Sequence, residues 1–249
     1  ESAAAKIARE IFQYLDRDLS HPEGAFFSAE DADSYATTDS EHKTEGAFYT
    51  WTASGIEKVL GADEANLFFK AYGIRPEGNA RPGSDPHGEL GGQNPLYQHS
   101  LPEELAAFFD TREEDIISRL ATAREKLLAA RSHRIRPIRD GKIITAWNGL
   151  TISALAHAYR ALGDVAYLTR ANRAADFILT NLTHPSDGHL LRSYLDGPSD
   201  IPATAIDYAA MIAALIDLYE ADFNPLRLTQ AMDLQDMMLE LLNDPKAGG

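Results

Sequence analysis

A pattern of residues occurs twice in this chain. Leu168-Thr-x-Ala-(x4)-Asp176-(x2)-Leu179 returns as Leu228-Thr-x-Ala-(x4)-Asp236-(x2)-Leu239, a period of about sixty residues. Upstream, Ile152, Ala154, Leu155 and Tyr159 return as Ile212, Ala214, Leu215 and Tyr219. Before Ile152 the match slips by one residue, which sets Asn148 opposite Asp207. Each unit reads as two helical patterns of roughly twenty residues joined by a short connection, because apolar residues recur at helical spacing. Paired helices at a constant period stack as an open solenoid or close as a ring.

The first helix of each pair is the more apolar, at 145–162 and 204–220; the second, at 165–182 and 225–242, carries more charge. An inner layer of apolar helices with an amphipathic outer layer is what a barrel of helical hairpins requires. The expected fold is therefore all-α, a stack or ring of helical hairpins with small β-ribbon and loop insertions. Every inner helix then starts at one face, and Trp147-Asn148 and Asp207-Tyr208 would line one cavity there. Shared helix exits repeat the theme. Leu19-Ser-His-Pro22-Glu-Gly24, Leu182-Thr-His-Pro185-Ser-Asp-Gly188 and Leu242-Asn-Asp-Pro245-Lys-Ala-Gly248 each punctuate a helix with proline and glycine.

The remainder reads as one truncated domain over 1–249 with insertions at 20–52 and 73–100. Residues 2–19 make a helix. Two aromatic runs, Ala25-Phe26-Phe27-Ser28 and Ala47-Phe48-Tyr49-Thr50-Trp51-Thr52, prefer β structure and predict a small ribbon or structured loop. Thr52 or Ser54 caps the next helix. Helical patterns follow at 53–61, 63–72, 102–109 and 111–132. Between them, 73–100 is a glycine- and proline-rich loop flanked by His87 and His99. Loops of this length are more often functional than inert. Both ends of the chain read as cut from a longer protein.

The net charge of −15 and a pI near 4.9 argue against nucleic acid or an anionic membrane as partner. No apolar run is long enough to span a bilayer. Without cysteine there is no disulfide, thiolate metal site or thiol catalysis. The cytoplasm is the expected location. Against the acidic background, Arg134, Arg136, Arg139 and Lys142 form a cationic knot running into the helix that Trp147 and Asn148 open. Such a knot neutralises local carboxylates or an anionic or polyhydroxylated ligand.

Glu30, Asp31 and Asp33 cluster beside aromatic side chains. They fit a general acid or base in a sugar cleft, where carboxylates flank the reacting bond. They fit equally a loop that caps amides and pairs with the basic knot. Arg136, Arg139 and Asp140 could clamp a carboxylate, phosphate or sugar hydroxyls, or belong to that same ion-pair network. Trp147 and Asn148 have the character of a sugar-stacking face and its amide donor, or of a helix start packed into the core. Asp207 is an acid/base candidate or a helix-start residue favoured by the dipole; Tyr208 reads as packing beside it. A calcium loop fails, since Tyr35 and Ala36 stand where Asp or Asn and Gly are needed. His157 has no Glu or His at ligand spacing, and His21 and His184 precede prolines in turns, so no metal and no cofactor is expected.

Five stretches together carry a resemblance: Gly24-Ala-Phe-Phe-Ser-Ala-Glu-Asp-Ala-Asp-Ser34, Glu45-Gly-Ala-Phe-Tyr-Thr-Trp-Thr52, Tyr72-Gly-Ile-Arg-Pro-Glu-Gly-Asn79, Arg136-Pro-Ile-Arg-Asp-Gly-Lys-Ile-Ile-Thr-Ala-Trp-Asn-Gly149 and Asp207-Tyr-Ala209. The chain resembles the YyaL / spermatogenesis-associated protein 20 family. That resemblance implies an N-terminal thioredoxin-like domain, missing here, followed by an (α/α)6 toroid similar to six-hairpin glycosidases and N-acylglucosamine 2-epimerases. This chain would hold three to four of the six hairpins, from the period of about sixty residues. The family pattern departs at Ala25, which stands for the second glycine of the usual Gly-Gly-Phe.

The implied function is a sugar epimerase, isomerase or glycoside hydrolase, with Glu30, Asp31, Asp33 and Asp207 as acid/base candidates. Arg136, Arg139, Asp140, Trp147, Asn148, Trp51 and Tyr208 would bind the sugar. The competing reading is a non-catalytic scaffold or protein-binding module supporting a thioredoxin-like domain. A partial ring would leave apolar hairpin faces open and favour self-association.

Overall fold

The computed structural model describes residues 2–80, 83, 85 and 88–244. His87 and the Pro245–Gly248 part of the third helix exit lie outside them. Among the described residues the elements are α1 (Ala3–Asp18), β1 (Ala29–Glu30), β2 (Asp33–Ser34), β3 (Thr44–Glu45), α2 (Ala53–Leu60), α3 (Ala62–Tyr72), α4 (Pro102–Phe108), α5 (Glu113–Arg131), β4 (Arg139–Asp140), β5 (Ile143–Ile144), α6 (Thr145–Leu162), α7 (Val165–Asn181), β6 (Ser193–Tyr194), α8 (Ala205–Asp222) and α9 (Pro225–Leu242). The all-α expectation with small strand insertions holds. None of these helices is long and apolar enough to cross a membrane.

Two compact units can be distinguished, residues 1–29 with 139–249 and residues 30–138. In the first unit the repeat becomes two hairpins, α6–α7 and α8–α9. Each hairpin turns on a residue in the left-handed region followed by a capping side chain. Gly163 and Phe223 take the turn. Asp164 and Asn224 then accept hydrogen bonds from the amides of Ala166 and Leu226 to start α7 and α9.

The inner helices α6 and α8 run parallel. Gly149 meets Ala210, the Ser153 hydroxyl donates to Asp217, and Arg160 pairs with Glu220 at 2.7 Å. A Cβ on Gly149 would stand 2.7 Å from the Ala210 carbonyl carbon, so glycine sets the closeness of the two helices here. Between them lies the stripe Ile152, Leu155, Ala156 against Met211, Leu215, Leu218, all nearly inaccessible. Its spacing of three and four is that of one buried helix face.

The outer helix α1 lies along α7 in parallel. Phe12 packs on Tyr167 with ring centroids 5.0 Å apart, Arg170 pairs with Asp16 at 2.7 Å, and Arg173 donates to the Pro22 carbonyl. From α9, Arg227 reaches Asn172 and Asp176 on α7. α1 and α7 end in corresponding backbone turns, the second one residue longer. The amides of His21 and His184 donate to the carbonyls of Ala25 and His189, those of Gly24 and Gly188 to His21 and His184, and those of Phe27 and Leu191 to Leu19 and Leu182. The shared exit read from proline and glycine thus recurs, with one residue inserted in the second copy.

In the second unit, Trp51, Ile56, Phe68, Ile74 and Leu127 form one core among α2, α3 and α5. Leu67, Ala71, Leu105 and Ile116 form another with α4. β2 and β3 pair antiparallel, Asp33 opposite Glu45. The ribbon preference of 47–52 is not realised beyond Trp51, which bridges Asn94. Gly46 at φ +71 turns the chain, and the amides of Tyr49 and Thr50 both donate to its carbonyl. Turn hydrogen bonds thus replace ladder bonds. Thr52, not Ser54, caps α2, accepting from the Gly55 amide at 3.0 Å.

Candidate functional site

The candidate residues fall in two sets, one per unit. In the first unit they gather at the starts of α6 and α8. Asn148 is buried, and its side-chain oxygen accepts from the Phe26 amide at 2.8 Å. Its NH2 group donates to the carbonyls of Phe26 and Ile144 at 3.0 and 3.1 Å. Tyr208 does the same work on the other exit turn. Its hydroxyl oxygen accepts from the Leu190 amide at 2.9 Å. Phe26 and Leu190 bridge Ser20 and Thr183 in equivalent turns. Asn148 is therefore the counterpart of Tyr208 rather than of Asp207, and the repeat continues through the helix start without the one-residue slip. Burial raises the Tyr208 phenol above its ordinary range, partly offset by the Leu190 amide.

Asp207 is 0% exposed. One oxygen accepts from the Ala146 amide at 3.1 Å. The other accepts from the Thr204 amide and hydroxyl, each at 2.8 Å, and from Arg192 at 3.3 Å. The Thr204 bonds complete a capping box on α8. Both oxygens of this carboxylate are committed to positioning helix starts. Trp147 differs, since it is 52% exposed on the first turn of α6. Arg139 lies over the Phe27 ring, 3.8 Å from its centroid. Asp140 pairs with Lys142 at 2.7 Å, which holds its carboxyl below the ordinary range.

In the second unit, Glu30 accepts from the Tyr49 hydroxyl at 2.6 Å and from Arg136 at 2.7 Å. Arg136 also lies over the Phe48 ring. Asp31 pairs with Lys43 at 2.9 Å, a partner the sequence reading did not name, and accepts from the Asp33 amide at 3.2 Å. Lys43 lowers the Asp31 carboxyl and is itself raised by it. Trp51 is buried beneath Arg134, whose guanidinium stands 3.9 Å from the ring centroid.

Arg134 also donates to the carbonyls of Ala47, Phe48 and Thr50 at 3.3, 2.9 and 2.7 Å. Asn94 closes the other side, donating to the Trp51 and Arg75 carbonyls and accepting from the Arg75 amide. Sequence reading passed over Arg134 and Asn94 as site-shaping residues. The basic run offered a signal for Arg134; a lone asparagine in a glycine-rich loop offered none.

No family model matches the chain. It aligns over 260 residues with human spermatogenesis-associated protein 20 at 38% identity, covering 98% of this chain and 33% of that protein. The mouse protein aligns over 262 residues at 37% identity with the same coverages. The chain thus spans about a third of the length of the curated relatives it matches, and the resemblance read from the five stretches holds across nearly all of it.

Similar solved structures include a GH76 α-mannanase from Bacteroides thetaiotaomicron, at 16% identity and TM-score 0.40, covering 98% of this chain and 72% of that one. A cellobiose 2-epimerase from Bacillus thermoamylovorans stands at 9% identity and TM-score 0.40, covering 97% and 57%.

Proposed function

We propose that this segment is a non-catalytic α/α framework that carries a saccharide-binding face at the starts of α6 and α8. One observation carries the reading. Asp207, the carboxylate best placed for acid/base work at that face, is buried with both oxygens held by donors. A general acid or base must reach the substrate proton, and a carboxylate fully engaged by two helix starts does not. Trp147, half exposed on the same face, offers the ring on which a sugar stacks. The family resemblance supports a carbohydrate-type face; the epimerase, isomerase or glycosidase reading would need the same carboxylates to be free.

The test uses the full-length protein with a panel of free and N-acylated sugars and small glycosides in deuterated water, followed by proton NMR. Saturable shifts of sugar signals, lost in Trp147→Ala, with no ring-proton exchange and no released aglycone, are the expected result. Exchange or hydrolysis that disappears in Glu30→Gln, or in an Asp207→Asn protein whose circular dichroism matches the parent, would establish the catalytic reading instead.

A further inference from the structure

The exit turn of α7 carries three side chains that the site above does not use. His184, Asp187 and His189 bring one ligand atom each within 4.8 Å of one another. The Asp187 Oδ1 stands 3.1 Å from the His184 Nδ1 and 2.6 Å from the His189 Nδ1. The two imidazoles lie nearly parallel, 4.6 Å apart. We propose that His184, Asp187 and His189 form a binding site for a borderline divalent cation such as zinc, with water completing the coordination.

Three observations support it. The first is the donor set. Two imidazole nitrogens and one carboxylate oxygen suit zinc, nickel or cobalt far better than calcium or magnesium, which take oxygen ligands. Donors about 2.1 Å from a tetrahedral ion stand roughly 3.4 Å from each other. The separations around Asp187, 3.1 and 2.6 Å, are shorter than that, so side-chain rotations that open them admit the ion.

The second is the crowding of polar groups on one ring nitrogen. The His184 Nδ1 faces the Ser186 amide at 3.4 Å, the Ser186 hydroxyl at 2.9 Å and the Asp187 carboxylate. The metal-free turn joins nitrogen and carboxylate through a proton on Nδ1, and a cation between the two atoms takes that proton's place.

The third is the comparison the chain supplies. The exit turn of α1 closes with corresponding backbone hydrogen bonds in a turn one residue shorter, and His21 stands where His184 stands. There the Nδ1 accepts from the Glu23 amide at 3.2 Å, and Ala25 occupies the position of His189. The α1 turn therefore forms without a second imidazole; in the α7 turn the Asp187 carboxylate also accepts from the His189 amide at 3.4 Å, which holds it between the two rings. All three side chains are also within reach of solvent. Side-chain exposure is 36% for His184, 60% for Asp187 and 18% for His189, so an ion can enter and water can complete its shell. A bound ion would tie the loop ahead of Leu190, the residue whose amide Tyr208 holds.

The test is titration of the 249-residue chain, stripped with chelator, with zinc by calorimetry and with cobalt by visible absorption. A single saturable site with tetrahedral cobalt bands is expected. Asp187→Asn and His189→Ala should each weaken binding by about tenfold or more, while His21→Ala leaves it unchanged. Asp187→Asn changes an exposed side chain without changing its shape, so its circular dichroism should match that of the parent chain. No saturable binding, or binding of equal strength in Asp187→Asn and His189→Ala, would overturn the proposal.

Discussion

The Asp207 carboxylate accepts a hydrogen bond from the Ala146 amide, 61 residues earlier in the chain, at 3.1 Å. Through it the first turn of α6 is tied to the first turn of α8, and the parallel setting of the two inner helices is fixed at its origin. Asparagine at this position has one acceptor oxygen and one donor group. Whichever way the amide turns, its NH2 meets the Ala146 amide or the Thr204 donors, leaving a buried clash of like groups. Asp207→Asn should therefore lower the unfolding free energy by about 2–3 kcal/mol. Urea unfolding with an unchanged slope checks it. A midpoint at the parent value would show that this carboxylate is not structural.

Gly149 and Ala210 mark the closest approach of the same two helices. Gly149→Ala sets a Cβ 2.7 Å from the Ala210 carbonyl carbon and 2.8 Å from its oxygen. Backbone cannot yield as a side-chain tip can, so α6 must shift. The helix propensity gained over glycine, about 1 kcal/mol, is outweighed by overpacking of about 1–3 kcal/mol. Net destabilisation is expected, with loss of near-ultraviolet tryptophan dichroism from Trp147 on the displaced turn. A variant more stable than the parent would mean that the helix contact is looser than drawn.

Much of this was legible because repeats and helical spacing leave marks on the chain itself. The hairpins followed from Leu168-Thr-x-Ala and its copy, and the two exit turns from their prolines and glycines. Asn148 shows where legibility stops. Its partner, Phe26, lies 122 residues away, and a side chain bonding to a distant backbone leaves no periodic trace. The roles of Asn148 and Tyr208 therefore needed the structure, although their exit turns had been matched.

The Glu30–Arg136 pair was legible as one of two open readings, because a basic run in an acidic chain must find carboxylates. The aromatic run at 47–52 misled for a physical reason. β preference describes a side chain on a pleated surface, and here Arg134 occupies the carbonyls that a partner strand would have taken.

Tyr208 gives the fold a sensitivity to alkali. Burial raises its phenol above the ordinary range in the folded state. For an acid with a raised folded pKa, the stabilising difference is fully present below the unfolded value, near 10. It is lost as pH rises through the folded value. Stability should hold to about pH 10 and decline above it. Absorbance titration of the phenolates should show one tyrosine ionising later than the rest and together with the loss of helical dichroism. In Tyr208→Phe the Leu190 amide loses its acceptor, so the variant should be less stable at neutral pH yet lose less on going to alkaline pH. Simultaneous ionisation of all tyrosines before unfolding would refute the assignment.

Phe223 occupies the turn between α8 and α9 with φ +57, where its counterpart Gly163 has φ +73. For an L-residue with a Cβ, the left-handed region costs roughly 1–2 kcal/mol; glycine adopts it freely. Phe223 is 74% exposed, so little burial is lost on its removal, beyond an edge contact with Tyr219 at 6.2 Å. The strain relieved exceeds that contact, which at the surface contributes about 0.5 kcal/mol. Phe223→Gly should thus stabilise the first unit by about 0.5–1 kcal/mol, seen as a higher thermal midpoint. Phe223→Ala, which keeps the strain and removes the ring, should fall below the parent. If glycine and alanine lowered the midpoint equally, the ring contact, not the backbone, would govern this turn.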